Sequence, residues 1–349
     1  MKRYAIIYIV KYYMETKKHP HLPVFILLSL TFIGFVLFTS YFSYRQRADD
    51  SIVKVGLKWL HSAQFAGMYV AKEQKMYEDG GLTVEFNEPT EDKRSTIDSL
   101  LSGENDYVIV SALELLDHVA QNDPVKAVAV IYQETPTVIA SLPESGINKP
   151  EDLRNKVLGT TRNENYSFSL YKFLGNKYKV PVNSMIFKNI GFNAIDDLIN
   201  GEVDAVSIYR TKLYLPKDYP ETNFSLIKPE DYDIHMYSDV IVTTNELIEK
   251  RPEQVQAFVN ATIKGWEYAL DYRDEAIDIT MPYTSGRQRE EEFQKQILTA
   301  SAPLIRTDGI EHVGEMSTGR WLEMYYLYKT SVLVSEFDIA KAYTTEFLP

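Results

Sequence analysis

A short unit written twice limits what this chain can fold into more than any other feature. Residues 97–111 read IDSLLSGENDYVIVS, and residues 195–209 read IDDLINGEVDAVSIY. Laid over one another without gaps, they agree at Ile97/Ile195, Asp98/Asp196, Leu100/Leu198, Gly103/Gly201, Glu104/Glu202, Asp106/Asp204 and Val108/Val206. In each copy Ile and Leu share one helical face. The glycine supplies a left-handed residue that ends the helix. The β-branched run behind it has the composition of a buried strand. Helix, tight turn and buried strand make half of a parallel α/β unit. Two such copies predict an α/β protein of two lobes built alike. In open parallel sheets ligands collect at the carboxyl ends of the strands. Ser111 and Tyr209, the last residues of the two copies, are therefore candidate site residues.

Charge and composition narrow the function classes. Acidic residues outnumber basic ones 49 to 37, a net charge of −12, which argues against a nucleic-acid partner. The chain has no cysteine, so zinc–thiolate sites, thiol catalysis, disulfides and a lipid-modified cysteine are excluded. Apart from His19 and His21, the histidines are scattered singly, and no metal site is expected. The 25 tyrosines suit both packing and an aromatic cleft for a flat ligand.

Residues 1–22 form a basic segment carrying Lys2, Arg3, Lys11, Lys17 and Lys18. Residues 24–42, VFILLSLTFIGFVLFTSYF, carry no charge. Together with their flanks, over 23–44, they are long enough to cross a bilayer of roughly 30 Å as a helix. The basic flank predicts the N-terminus inside and the rest outside, which the family resemblance given below turns into an inner-membrane anchor facing the periplasm. An uncleaved anchor is the preferred reading, with a cleaved signal peptide as its alternative.

From Ile52 onward the pattern reads as strand, helix and strand, a right-handed parallel unit by default. Trp59-Leu60-His61-Ser62 follows the first strand. Gly80-Gly81 closes the helix that comes next. The repeated unit in each half, together with the crossings implied by the family resemblance given next, predicts lobe 1 over 52–141 and 240–349, and lobe 2 over 142–239. Near the C-terminus, Val255, Phe258, Val259, Thr262, Ile263, Trp266, Ala269 and Leu270 recur at helical spacing. That stripe reads as core.

Residues 58–86, KWLHSAQFAGMYVAKEQKMYEDGGLTVEF, resemble the opening of the periplasmic solute-binding proteins for thiamine pyrimidine precursors. YQETPTVIASLPESGINKPEDLRN is similar to that family's interlobe segment. SDVIVTT, followed by RPEQVQAFVNATIKGWEYAL, is similar to its return segment. The resemblance covers residue 52 to the C-terminus. It implies a two-lobed periplasmic-binding-protein type II fold with two crossings and a cleft between the lobes. It also implies capture of a small nitrogen-containing molecule for an ABC permease, with no catalysis and no cofactor. Relatives of this domain also serve as sensors, so a sensory subunit docking on a membrane partner is the alternative. No output domain is expected after Pro349. A third reading, a thiamine pyrimidine synthase-like enzyme, is disfavoured because that synthase needs a cysteine-rich iron motif. The chain departs from the family pattern at Arg162-Asn163-Glu164-Asn165, at Arg210-Thr211-Lys212 and at Tyr237-Ser238-Asp239.

The candidate ligand-binding residues are Trp59, Gln64, Phe65, Ser111, Asn163, Glu164, Tyr209, Tyr237 and Asp239. Trp59 at a strand end either stacks on a flat heterocycle or packs under its loop. Gln64 and Phe65 open the first helix, and Phe65 equally fits the core. Asn163 and Glu164 precede a lobe-2 helix, where they either contact a ligand's amino group or cap the helix. Tyr237 and Asp239 stand at the return crossing. A reporter enzyme fused after Asp50 should be active only where it is exported. Activity confined to the cytoplasm would reverse the topology.

Overall fold

The computed structural model describes residues 52–89, 96–160, 173–190, 194–213, 224–307, 311–332 and 336–349, with residues 11, 31–35, 171 and 309. Most of the expected 23–44 span lies outside the described residues; 31–35 is helical. Among the described residues no helix is long and apolar enough to cross a membrane. Val53–Pro349 forms one compact unit.

Two five-stranded sheets build this unit. The first contains β1 (Ile52–Gly56), β2 (Thr83–Asn87), β3 (Tyr107–Val110), β4 (Val125–Tyr132) and β10 (Ser238–Thr244), in the order β2-β1-β3-β10-β4. The second contains β5 (Thr137–Ser141), β6 (Val157–Thr160), β7 (Ile186–Asn189), β8 (Ala205–Tyr209) and β9 (Ser225–Ile227), in the order β7-β6-β8-β5-β9. The two orders are the same design. Parallel strands meet in each sheet, β1 with β3 and β6 with β8, and an antiparallel strand follows, β10 in one and β5 in the other. Helices α1 (Ala66–Glu73), α2 (Met76–Asp79), α3 (Thr96–Leu101) and α4 (Ala112–Ala120) precede the second sheet, and α5 (Ala194–Ile199) leads into β8. After β10 come α6 (Asn245–Lys250), α7 (Pro252–Asp271), α8 (Arg273–Thr280), α9 (Glu291–Ile305) and α10 (Thr318–Val332).

The repeated unit has one structure in both lobes. α3 and α5 each run into a glycine with positive φ, 74° at Gly103 and 72° at Gly201. The Gly103 amide donates to Leu100 and the Glu104 amide to Ser99. In the second copy the Gly201 amide donates to Leu198 and the Glu202 amide to Asp197. This pair of bonds is the Schellman closure, which satisfies the last helical carbonyls and favours glycine at the left-handed position. The shared aspartates have a role that spacing did not disclose. Asp106 Oδ2 accepts the Lys54 amide at 2.8 Å, and Asp204 Oδ2 accepts the Val157 amide at 2.7 Å. Each carboxylate thus pins the start of its strand to the neighbouring parallel strand.

The lobe boundary differs from the expected one. Thr137–Ser141 was expected in lobe 1, but it pairs antiparallel with β8 from Thr137↔Tyr209 to Ser141↔Ala205. The first crossing is therefore 133–136, ahead of β5. VKAVAVIY and TVIAS are both continuous buried runs, so apolar pattern alone does not say which sheet takes each. The return strand β10 begins at Ser238, two residues before the expected 240. Polar side chains tie the crossings to their surroundings. Glu134 meets Arg320 at 2.8 Å and His235 at 2.9 Å, while Arg210 meets Glu230 at 2.6 Å.

The expected stripe on α7 is buried along its length, and α7 crosses α1 where both helices carry glycine. A Cβ on Gly67 would meet the Trp266 ring at 2.2 Å, and one on Gly265 would meet the Gly67 carbonyl oxygen at 2.1 Å. Side chains of any size force the helices apart there. Gly265→Ala should cost about 2–3 kcal/mol of unfolding free energy, as overpacked cores do. Gly319→Ala on α10, where a Cβ meets nothing within 4 Å, should be neutral or stabilising. Urea titration of both variants checks the contrast.

Candidate functional site

The polar centre of the molecule lies where the first sheet meets the second. β1 runs out at Gly56, and the chain continues through buried Leu57 to Lys58 and Trp59. A short turn, Ala63–Phe65, then turns the chain into α1. The Ala63 amide donates to the Gln294 side chain of α9 at 2.6 Å, which fixes the turn. From the middle of the first sheet, β10 contributes Ser238 and Asp239. Asp239 has φ of 46°, the left-handed region that costs most side chains about 1 kcal/mol or more and is reached most easily by Asn and Asp. From the second sheet β8 contributes Tyr209, and the turn Arg210–Lys212 follows it.

These residues converge on the Asp239 carboxylate, which is almost wholly buried. Gln64 Nε2 donates to Oδ2 at 2.8 Å. Lys58 Nζ stands 3.4 Å from Oδ1, and the Tyr209 and Ser238 hydroxyls are each 3.4 Å from the same oxygen. Lys58 Nζ also donates to Tyr209 Oη at 2.6 Å, a contact that joins the first-sheet lobe to the second. Above this cluster the Lys212 ammonium lies 4.0 Å from the centre of the Trp59 ring and 5.5 Å from that of Tyr209. That is cation–π geometry, again between the lobes. Gln296 of α9 donates to the Leu213 carbonyl at 3.0 Å and holds the Tyr209 turn against the first lobe.

Burial opposes charge on Lys58, but Tyr209 and Asp239 outweigh it and hold the ammonium above its ordinary pKa. Burial pushes the Tyr209 hydroxyl up to about 12, against the pull of Lys58. At neutral pH the junction therefore holds an ammonium and a neutral phenol around a buried carboxylate. These groups pair with one another, and the Lys212 ammonium lies over both aromatic rings, Trp59 and Tyr209.

The structure brings together Trp59, Gln64, Tyr209 and Asp239 of the expected set. Asn163 and Glu164 lie outside the described residues. Three expected residues point elsewhere. Phe65 is 1% exposed and belongs to the first core, because the turn before α1 sends Gln64 to Asp239 and the next side chain inward. Ser111 borders Asp239 in the sheet, one step beyond the Val240↔Val110 pair, but its hydroxyl accepts the Glu114 amide and caps α4. Tyr237 packs edge-on against Trp321, and its hydroxyl accepts the Ser317 amide at 3.0 Å. It anchors α10. Lys58, Lys212 and Ser238 were not in the expected set. Their signal was adjacency: Lys58 precedes Trp59, Lys212 follows Tyr209 by three residues and Ser238 precedes Asp239.

The Lys58–Asp239 pair yields a test. Lys58→Met keeps the apolar stem and leaves the carboxylate with neutral partners only. The variant should lose about 3 kcal/mol of unfolding free energy at neutral pH, the usual cost of stranding a buried charge. Adding Asp239→Asn should restore most of it. A single variant as stable as the parent would show that the pair carries no such energy.

Comparison with known proteins places this geometry. The NMT1/THI5-like family pattern matches residues 62–276. The formylaminopyrimidine-binding protein of Halalkalibacterium halodurans is 24% identical over 265 residues, covering 70% of this chain and 76% of that protein. The riboflavin-binding protein RibY of Chloroflexus aurantiacus is 23% identical over 304 residues, covering 85% and 86%. The 4-amino-5-hydroxymethyl-2-methylpyrimidine phosphate synthase of Legionella pneumophila is 23% identical over 303 residues, covering 86% and 93%. Among solved structures, the periplasmic aliphatic sulphonate binding protein SsuA of Escherichia coli aligns with a TM-score of 0.64 at 14% identity, covering 83% of this chain and 96% of that one. This last likeness is one of fold, the two-sheet architecture of periplasmic binding proteins. Since the family pattern spans more than half of the sequence, from Ser62 just ahead of α1 to α8, the chain belongs to the NMT1/THI5-like family.

Proposed function

We propose that this chain is an extracytoplasmic solute-binding protein. Its ligand is a small, flat, nitrogen-containing molecule held between the lobes and passed to an ABC-type permease. The observation that carries the reading is the junction itself. Lys58 and Trp59 from one lobe meet Tyr209 and Lys212 from the other around a single buried carboxylate. This polar cluster spans the two sheets, beside a buried apolar core to which both also contribute. Opening about 133–136 and 234–237 would separate its halves, and closing would bury whatever lies between Trp59 and Tyr209. Two of the three relatives named above are binding proteins, for a formylaminopyrimidine and for riboflavin, and both ligands are flat nitrogen heterocycles. The third is named as a synthase. Binding is preferred to synthesis because this chain has no cysteine to build the iron motif expected of such an enzyme. The apolar 23–44 span would tether the protein to the inner membrane with the lobes outside.

Calorimetric titration with a formylaminopyrimidine and with riboflavin tests this function. Trp59→Ala should weaken the better ligand by about tenfold or more, given that an aromatic pair contributes roughly 0.5–1.5 kcal/mol beyond its buried area. Its unfolding midpoint should change little. Glu164→Gln should weaken amino-bearing ligands selectively. Scattering should show compaction on binding. If both variants bind as the parent does while folded, the cleft assignment fails.

A further inference from the structure

Gln64 is 1% exposed, and its amide has a fixed orientation for a simple reason. The Asp239 carboxylate only accepts hydrogen bonds, so the amide must turn its NH2 toward Oδ2, 2.8 Å away. Its carbonyl oxygen Oε1 then faces away from the carboxylate. That oxygen is buried and has no hydrogen-bond partner among the described residues. Two more buried atoms at the junction share this state, Ser62 Oγ and Thr211 Oγ1. Ser62 and Gln64 belong to the turn that opens α1, and Thr211 to the turn that follows Tyr209. Both turns pack on the same helix, α9, one from each lobe. Buried polar atoms without partners are rare and unfavourable. Among the described residues, three such atoms, on two turns that pack on α9 and adjoin Trp59 and Tyr209, lack the partner that a bound polar molecule would supply.

The three atoms are not equivalent. Hydroxyls rotate, so Ser62 and Thr211 can donate or accept. Gln64 Oε1 can only accept. It is held in place by a carboxylate that is in turn held by Lys58 and Ser238.

We infer that Gln64 determines specificity in this cleft: its amide oxygen accepts a hydrogen bond from an N–H on the ligand's edge. The ligand class is then a flat heterocycle with a free amino or lactam N–H, not one presenting acceptors alone. Asp239 is the positioning residue, because its charge sets which end of the amide faces the ligand. The inference rests on the binding function proposed above and specifies its chemistry.

Matched probes test it on the purified full-length protein. One pair is 4-amino-2-methylpyrimidine and its 4-dimethylamino counterpart. The other is riboflavin and 3-methylriboflavin. The parent should prefer the N–H member of at least one pair by about tenfold or more, since a buried acceptor penalises a ligand that cannot satisfy it. Gln64→Met should bring that preference to within about twofold, chiefly by weakening the N–H probe. Asp239→Asn is the second variant, and asparagine tolerates the positive φ at this position. Its amide can donate to Gln64 Oε1, which frees the glutamine to present NH2 instead. The preference should then shift toward the blocked probes. A merely structural Gln64 would lower affinity for both members of a pair equally, and that result would overturn the inference. So would a parent that binds both members equally, although the cleft assignment would survive. A parent that binds none of the four probes, with Trp59→Ala indistinguishable from it, would overturn both.

Discussion

The Asp239 carboxylate is the constraint around which the rest of this structure is arranged. A nearly buried negative charge is tolerable only with a cation and hydrogen-bond donors around it. Those partners come from far apart in the chain: Lys58 after β1, Gln64 before α1, Ser238 beside it and Tyr209 from the other sheet. Satisfying one charge therefore aligns the first strand, the first helix, the return strand and the second lobe. The backbone bends to permit it, with Asp239 in a left-handed conformation at the point where the chain re-enters the first sheet.

This arrangement accounts for the coexistence of a stable scaffold and a working junction. The scaffold energy lies elsewhere, in the α1–α7 crossing and in the two capped repeats, whose aspartates fasten neighbouring strands. Between the lobes a polar junction stands beside an apolar core to which both sheets contribute. The junction is spanned by the Lys58–Tyr209 hydrogen bond, the Lys212–Trp59 contact and the Gln296–Leu213 bond. Polar contacts of this kind exchange readily with water or with a ligand, whereas a continuous apolar core does not. The Glu134–Arg320 ion pair and the hydrogen bond from Arg210 to the Thr135 carbonyl brace the first crossing.

Much of the fold was legible because its signals are local. The helix, the left-handed glycine and the strand of each repeat depend on near-neighbour sterics and on side-chain periodicity. All three appear where the spacing put them, at Gly103 and at Gly201 alike. The α7 stripe was legible for the same reason. The sheet that receives β5 was not, because two equally apolar runs look alike until one finds its partner. The polar junction around Asp239 was legible in part. Trp59, Gln64, Tyr209 and Asp239 stand at element ends, and element ends are where open sheets expose side chains. Phe65, Ser111 and Tyr237 stand at similar ends but point into a core, a helix cap and a C-terminal anchor.

The sequence by itself determined the elements, their doubling and the positions at which strands hand over to loops. Only the tertiary structure decided which side chains share the space between the lobes. Lys58 shows the difference. In the sequence it is a charged residue between Leu57 and Trp59, and charge reads as surface. In the fold it is buried against Asp239 and Tyr209. Tyr209 lies 151 residues away in the chain, and no local pattern carries information over that distance. The pairing exists because two independently specified sheets close on each other and leave one buried carboxylate that needs a cation.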